Sequence, residues 1–384
     1  MGVDPHALAL MTSGDLVRAM LSYSAPRRGM RDARERRNET GMPVTEFRER
    51  VERTPLDATV LALLPRRISD LQLRIAGTPL EGLIAQLYRE LEARGIRFRP
   101  KCYLADEWGC PTGVPVIGIP FYLADPQLAR IEGELTGIEA ETEAEIRMYL
   151  RHESGHAFSY AYRLYLDPDW TRTFGSFRRP YPDEYRPEPF SDRFVRHIPG
   201  WYAQRHPDED FAETFAVWLT PNLNWQEMYA GAPAMDKLLY VDRVARLHGG
   251  QPPQVTDDYL DEPVERLRAT LAEWYSHLDQ RGNKSLGLPR LLSADLRRLF
   301  PSAKGVSAES FMIAYRGRMI YEVNYWTGMD LDRLGELVDA LIERIHSLGL
   351  KVAPGQESKT LIGVVALLTT LVMNFHYTNA FARR

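Results

Sequence analysis

Two histidines stand four residues apart in the stretch RHESGH, at His152 and His156, and Glu153 directly follows the first of them. On an α-helix, residues four apart lie on one face, one turn above each other. Two imidazoles placed in this way can bind one zinc ion, while the glutamate is turned away from the ligands and can hold and deprotonate a water molecule. The pattern predicts a zinc site with a built-in general base. The alternative is an ordinary helix that carries two histidines.

A third ligand is needed, because a hydrolytic zinc site has three protein ligands and one open position for water. The chain after His156 lacks a histidine in the Gly-x-x-His spacing that would complete a compact three-histidine site. Further along, Glu209 and Glu213 stand four residues apart in the predicted helix DEDFAETFAVWL, so both can face the same side. These two acids are therefore the leading candidates.

The stretch HESGH, separated by 52 residues from EDFAE, resembles the glutamate-zincin metallopeptidases. In detail it is similar to the branch typified by anthrax lethal factor, whose second helix reads Glu-Phe-Phe-Ala-Glu, and to uncharacterised bacterial zinc metallopeptidases. In that branch a tyrosine seven residues before the ligand glutamate helps to stabilise the oxyanion, and Tyr202 stands at that position here. The resemblance covers residues 148–222 and implies a zincin-like domain that hydrolyses peptide bonds.

The resemblance also implies a role for each matching residue. By this resemblance, the zinc ligands are His152, His156 and Glu209. Glu153 is the general base, and Glu213 accepts an N–H from a ligand histidine. Tyr202 helps to stabilise the oxyanion.

Several of these positions remain open to other interpretations. Asp210 stands where the branch has a phenylalanine, which leaves open which acid reaches the metal. Tyr202 is equally well explained as a ring packed beside Trp201, and Cys110 is a candidate inhibitory metal ligand. The alternative third ligands are Asp210, Glu213, His197 and His206.

The bulk composition describes an ordinary soluble globular protein. Its 384 residues are 44% hydrophobic and 26% charged, and a net charge of −4 with a pI near 6.2 argues against a general binder of nucleic acid or anionic membranes. Two cysteines are too few for a disulfide framework, which favours reduced thiols in the cytosol. The N-terminus lacks the features of a signal peptide or a myristoylation site. We therefore expect a cytoplasmic protein without nucleic-acid or membrane partners, and its oligomeric state stays open.

The most apolar run, LIGVVALLTTLVMNF, lies near the other end at residues 361–375. It contains 15 residues, whereas a membrane span needs about 20. We therefore predict a buried helix, with a tail anchor as the alternative.

We predict an α+β fold in three parts. Residues 1–65 form a flexible arm in which arginines alternate with acids, residues 66–282 form the zincin-like catalytic domain, and residues 283–384 form a smaller C-terminal α/β module.

Apolar periodicity and turn residues predict the individual elements. Capping boxes should open two helices, at Thr78 with Glu81 and at Thr142 with Glu145. The predicted helices span 79–94, 142–166, 208–219, 234–250, 262–280 and 330–348. The predicted strands span 66–77, 96–105 and 114–124, with a hairpin at 310–326 that turns at Arg316-Gly317. The proline- and aromatic-rich residues 167–208 are predicted to be irregular, as functional segments often are.

The strand predicted at 114–124 could receive the substrate. Zincins commonly bind an extended peptide along the edge strand beside the metal helix. Pro115 and Pro120 are easier to place on an edge than in a central strand. An ordinary sheet strand is the alternative.

Taken together, these features predict zinc-dependent hydrolysis of a peptide bond in a peptide or protein substrate. One alternative is a zinc-binding regulatory protein, in which a closed four-ligand site holds the metal structurally. Another is a zinc amidohydrolase that acts on a modified or cyclic peptide.

Overall fold

A computed structural model describes residues 58–136, 140–182, 185–278, 288, 292–302, 304–378 and 381. The predicted arm, residues 1–65, lies almost wholly outside this range. Within it the fold is mixed and rich in helix, with two small two-stranded sheets, which agrees with a broad α+β class.

The helices fall into two groups along the chain. The first group is α1 (Ala58–Leu63), α2 (Pro79–Ala93), α3 (Pro126–Thr136), α4 (Glu143–Ala161), α5 (Pro168–Phe174), α6 (Pro207–Leu219), α7 (Trp225–Met228), α8 (Ala234–His248) and α9 (Leu271–Leu278). The second group is α10 (Leu292–Leu299), α11 (Ala308–Ala314), α12 (Arg316–Thr327), α13 (Leu331–Ser347) and α14 (Glu357–Thr378). Helix α5 lies in a segment that was predicted to be irregular.

Each sheet consists of two short strands. Strands β1 (Lys101–Ala105) and β2 (Val116–Pro120) lie within two predicted strands and pair in parallel. Strands β3 (Val306–Ser307) and β4 (Lys351–Val352) pair antiparallel in the C-terminal part.

Strand β2 is not a free edge at its centre. Every residue of β2 is buried, and Gly118 exchanges both backbone hydrogen bonds with Gly109, at 2.7 and 3.3 Å. The connection from β1 therefore already covers this side of the strand. The prediction that β2 offers its main chain to a substrate peptide is wrong at Gly118.

Helix α2 begins at Pro79 as predicted, but its predicted capping box does not form. The Thr78 hydroxyl donates to the carbonyl of Ile75 at 2.7 Å and accepts no N–H from the first turn of the helix. The Glu81 carboxylate accepts the backbone N–H of Gly77, at 2.8 Å. The glutamate thus satisfies an amide one residue further out than the capping box requires.

Helix α4 opens with the predicted capping box. The Thr142 hydroxyl accepts the N–H of Glu145 at 3.4 Å, and the Glu145 carboxylate accepts the N–H of Thr142 at 2.8 Å. The helix ends at Ala161, earlier than predicted, because Arg163 adopts a left-handed conformation with φ of 53°. Its second half, residues 152–161, is buried throughout.

The strand predicted at 66–77 is wrong. The segment instead contains a 3-10 helix at Ile68–Leu71, and its backbone pairs far along the chain. The N–H of Ile68 donates to the carbonyl of Ala269 at 3.0 Å, and the N–H of Leu271 donates to the carbonyl of Arg66 at 3.0 Å. Helix α9 was predicted to start at residue 262 but starts only at Leu271. The backbone just before it is hydrogen-bonded to the segment at Arg66 and Ile68.

The hairpin predicted around Arg316-Gly317 is also wrong, because this stretch forms helices α11 and α12. The aromatic and β-branched residues of this stretch are typical of strands, which is why the sequence predicts a hairpin. The residues that the fold buries nevertheless follow helical spacing, at Met319, Ile320 and Val323. The predicted helix after the hairpin is confirmed as α13, at Leu331–Ser347.

The buried apolar residues form two main clusters. One extends from Val60 to Tyr275 and surrounds α4 and α6, and the other extends from Leu292 to Phe381 and surrounds α13. The predicted boundary at 282 falls between them, in residues outside the described range. The three-part division stays a prediction.

Gly155 allows α4 and α6 to pack closely. A Cβ atom at this position would lie 2.8 Å from the Cα atom of Ala212 and 3.0 Å from its carbonyl oxygen. A side chain would therefore push the two helices apart. This close approach brings the first turn of α6 to the histidines of α4.

Helix α14 has 22 residues and extends beyond the 15-residue run from which it was predicted. One face packs into the second cluster through Val364, Leu368 and Val372, while Ile362 and Tyr377 are exposed. By length and composition the helix could cross a membrane, and 33% of its most apolar window is buried. A cytoplasmic location without membrane partners stays a prediction.

Candidate metal centre

Three side chains from α4 and α6 converge on one point. The Nε2 atoms of His152 and His156 lie 3.2 Å apart, and each lies 3.1 Å from the Oε2 atom of Glu209. All three residues are buried. These three residues could hold a metal ion.

The first turn of α6 is positioned by its N-terminal cap. The Nδ1 atom of His206 accepts the backbone N–H of Asp208 at 3.1 Å, and Pro207 follows as the first helical residue. The Nε2 atom of His206 lies 2.6 Å from the carbonyl oxygen of Arg179. His206 therefore orients the turn that carries Glu209 and is not itself in the cluster.

Glu213 lies behind His152, where the sequence predicted an outer acid. Its Oε1 atom lies 2.9 Å from the Nδ1 atom of His152, and its Oε2 atom accepts the N–H groups of His197 and Ile198 at 3.1 and 2.9 Å. An Nδ1–H directed at this carboxylate leaves the Nε2 lone pair of His152 available to a cation.

Two further outer partners were missed in the sequence. The Oδ2 atom of Asp208 lies 3.2 Å from the Nδ1 atom of His156 and accepts the hydroxyl of Tyr160 at 2.5 Å. The hydroxyl of Tyr181 donates to the Oε1 atom of Glu209 at 3.0 Å. Asp208 directly precedes a predicted ligand and could have been suspected on that ground. Tyr181 lies in an aperiodic segment where no sequence signal singles it out.

Glu153 is a buried residue whose Oε2 atom has no hydrogen-bond partner among the described residues. Its Oε2 atom is inaccessible to solvent, and the carboxylate makes no hydrogen bond or ion pair within the described part of the chain. Burying a carboxylate in this way is unfavourable unless a bound group supplies a partner. The residue therefore fits a site that takes up a cation and a ligand.

Tyr202 lies next to the cluster at the start of a short 3-10 helix, Tyr202–Gln204. Its ring centroid is 5.7 Å from that of His152, at an interplanar angle of 62°. Arg205 donates to its hydroxyl at 3.4 Å, and the preceding residue, Trp201, is buried in a left-handed conformation. The ring is thus close enough for either predicted role.

The alternative ligands point elsewhere. Asp210 pairs with Lys237 at 2.7 Å, and the Nε2 atom of His197 lies 3.0 Å from the carbonyl oxygen of Met148. The thiol of Cys110 donates to a carbonyl in the connection between β1 and β2, at 3.2 Å. The described cluster thus contains Glu209 and none of the alternatives Asp210, Glu213, His197 and His206, and the assignment of the third ligand stays a prediction.

The cluster is electrostatically coupled. Burial lowers the pKa of His152, but hydrogen bonds with Glu209 and Glu213 outweigh burial and raise this pKa to about 9. Burial also lowers the pKa of His156, and the carboxylates of Asp208 and Glu209 raise it to about 10. Burial raises the pKa of Glu209, yet the histidines hold it well below its usual range. These raised pKa values favour protonated histidines near neutral pH in the metal-free protein, so a metal ion that binds there would displace protons.

Comparison with known proteins adds no family to this geometry, because no protein-family model, curated protein or solved structure matches the chain. The convergence of His152, His156 and Glu209, and the partners that hold them, point to a site that could hold a metal ion.

Proposed function

We propose that the chain is a zinc-dependent metallopeptidase that uses this centre to hydrolyse a peptide bond in a peptide or protein substrate. The observation that carries the proposal is the convergence of three ligand atoms, together with a glutamate on the same helix, Glu153, whose carboxylate no described residue pairs. The resemblance of HESGH and EDFAE to the glutamate zincins supports the same reaction.

The spacing of the donor atoms suits zinc. Donors bound at about 2 Å around a tetrahedral ion lie roughly 3.3 Å from one another. The three donor atoms here lie 3.1 to 3.2 Å apart. Two imidazoles and one carboxylate form a ligand set that zinc accepts, as do several neighbouring transition metals.

The number of ligands favours catalysis over a structural role. Structural zinc sites are usually closed by four protein ligands, whereas the cluster found among the described residues has three. Glu153 adds a buried carboxylate that no described side chain neutralises. A general base needs such a carboxylate, and a structural site does not.

The residues around the centre suggest how the reaction would proceed. Bound zinc would polarise the scissile carbonyl and lower the pKa of water. Glu153 takes the proton from the attacking water and passes it to the leaving amine. Tyr202 donates a hydrogen bond to the carbonyl oxygen as negative charge develops on it. Glu213 and Asp208 hold the two imidazoles in place through their Nδ1 atoms.

The test compares zinc-loaded wild type, Glu153→Gln and Glu143→Gln on a mixed peptide library, with products identified by mass spectrometry. Glu143 is an exposed acid on the same helix and serves as the control. We expect cleavage by wild type and Glu143→Gln, and a loss of about 100-fold or more in Glu153→Gln with zinc retained. Equal cleavage by all three proteins, or none by zinc-loaded wild type, would contradict the proposal.

A further inference from the structure

Arg205 holds a positive charge close to the candidate centre. It directly follows the 3-10 helix Tyr202–Gln204, and its guanidinium carbon lies 5.6 Å from the ring centroid of Tyr202 and 6.0 Å from that of Tyr185. Tyr202 in turn packs against His152. One tyrosine ring therefore separates the guanidinium from a ligand histidine.

The hydrogen-bonding capacity of this guanidinium is mostly unused. Its Nη1 atom donates to the hydroxyl of Tyr202 over a long 3.4 Å, and its Nε atom is buried without a partner. Its Nη2 atom is not buried and has no hydrogen-bond partner among the residues that the structure describes. The described residues also provide no carboxylate in ion-pair contact with Arg205.

Two other partly buried arginines form forked pairs with carboxylates. Arg151 makes two hydrogen bonds of 2.8 Å to Glu90, and Arg316 makes two of 2.8 Å to Asp339. Both are forked pairs of the kind that guanidinium and carboxylate groups favour. Arg205 is also partly buried, and no described carboxylate lies in ion-pair contact with it, although the charge of Glu209 raises its pKa from a longer distance.

We propose that Arg205 binds a carboxylate of the substrate, which rests on the proposed hydrolysis at His152, His156 and Glu209. The rings of Tyr202 and Tyr185 lie 5.6 and 6.0 Å from the guanidinium carbon and restrict its position, which favours binding of a carboxylate. The guanidinium carbon lies 5.6 Å from the Tyr202 ring, which lies 5.7 Å from the His152 ring, so about 11 Å at most separate it from the ligand histidine. Because one extended residue spans about 3.3–3.6 Å, the carboxylate belongs to a residue within about three positions of the scissile bond. It is either the carboxylate at a peptide's C-terminus or the side chain of an aspartate or glutamate.

Two pairs of probes distinguish these sources. The first pair is benzoyl-glycyl-phenylalanine with a free carboxylate and with a C-terminal amide. The second pair is acetyl-Ala-Ala-Glu-Ala-amide and its counterpart with glutamine in place of glutamate. Binding is measured by calorimetry to the full-length, zinc-loaded Glu153→Gln protein, in which hydrolysis is suppressed.

We expect one charged probe to bind about tenfold or more tightly than its neutral counterpart, as for a charge-assisted forked pair. Adding Arg205→Gln should abolish this preference at unchanged zinc content, and Arg205→Lys should retain part of it. Arg178→Gln is the control, because Arg178 is an exposed arginine of the preceding segment. If Arg205→Gln does not fold, a reduced preference in Arg205→Lys provides the same test.

Equal binding of charged and neutral probes, or no binding of either, would overturn the proposal, as would a preference that survives in Arg205→Gln. The outcome is separate from the proposed function. A preference that depends on Arg205 in a wild type that cleaves no peptide would support the carboxylate site and reject peptidase activity. Peptide cleavage by a protein that shows no carboxylate preference would support peptidase activity and reject the carboxylate site.

Discussion

The Nδ1 atom of His152 lies 2.9 Å from the Oε1 atom of Glu213, whose other oxygen is held by two backbone N–H groups, of His197 and Ile198. The orientation of a candidate metal ligand therefore depends on a loop that lies 45 residues further along the chain, at His197. This loop also leads into Tyr202. The metal cluster and the proposed oxyanion helper are thus linked through one short segment.

Replacing Glu213 with glutamine should weaken zinc binding about 10- to 100-fold, because the imidazole of His152 loses its anionic partner. The measurement is the zinc dissociation constant from competition with a chelator of known affinity. Glu265→Gln, which alters an exposed acid in the same half of the chain, is the control. Equal zinc affinity in wild type and Glu213→Gln would show that His152 is positioned without this carboxylate.

Replacing Gly155 with alanine should destabilise the fold by about 1–3 kcal/mol, because the new methyl group meets the backbone of Ala212 at 2.8 Å. Zinc affinity should fall as well, since α4 and α6 carry the ligands. Urea unfolding checks the first effect. The matched control is Gly82→Ala in α2, where a Cβ atom meets nothing within 4 Å. Equal stability of Gly155→Ala and wild type would contradict the close approach.

The part of the site that lies on one helix could be predicted from the sequence, because it depends on helical spacing alone. His152, Glu153 and His156 share one helix, and the capping box at Thr142 marks its start. Glu209 follows 53 positions after His156, so its assignment depended on the resemblance of two short stretches. No local rule relates residues that far apart.

Other features depend on tertiary contacts that periodicity does not report. Tyr181 reaches Glu209 from an aperiodic segment, and the chain near Ile68 pairs with the backbone at Ala269 and not with the sheet. The aromatic and β-branched residues around Met319 predict a strand, because such residues fit a pleated, half-buried surface. In the structure this stretch is a helix that packs against α13.

The raised pKa values of the two histidines predict proton release when zinc binds. Their ordinary value is 6.5, and the folded, metal-free protein raises the pKa of His152 to about 9 and that of His156 to about 10. At pH 7.5 both imidazoles are then protonated, and zinc needs both Nε2 atoms. We expect release of about two protons per zinc, from calorimetry in buffers of different ionisation enthalpy.

The same pKa values set the direction of a stability change in the metal-free protein. Because the folded pKa values lie above the unfolded ones, the stabilisation by these histidines is complete below pH 6.5 and is lost as pH rises through about 9 to 10. The free energy of unfolding of the metal-free protein, measured with a chemical denaturant at pH 6 and pH 10, gives this loss of stability. Proton release near zero, with no loss of stability at high pH, would contradict the coupling.

Replacing Arg196 with alanine should weaken both the fold and zinc binding. Its guanidinium lies 4.2 Å from the ring of Trp201 and 4.1 Å from that of Tyr325 in α12, and it donates to the Tyr325 carbonyl at 2.5 Å. Loss of such partly desolvated contacts costs about 2 kcal/mol. Arg196 directly precedes His197, so disorder here would reach Glu213.

The measurements are the free energy of unfolding and the zinc dissociation constant, with Arg193→Ala, at an exposed arginine of the same loop, as control. Reduced stability with unchanged zinc affinity would show that α12 supports the loop without influencing the metal ligands.

Zinc content per chain, measured by elemental mass spectrometry on wild type and Glu209→Ala purified in parallel, tests the central claim most directly. The arrangement of His152, His156 and Glu209 predicts close to one zinc per wild-type chain and a clear loss in the variant. A well-folded wild type that takes up no zinc when zinc is supplied, or a variant that retains it fully, would contradict the metal centre.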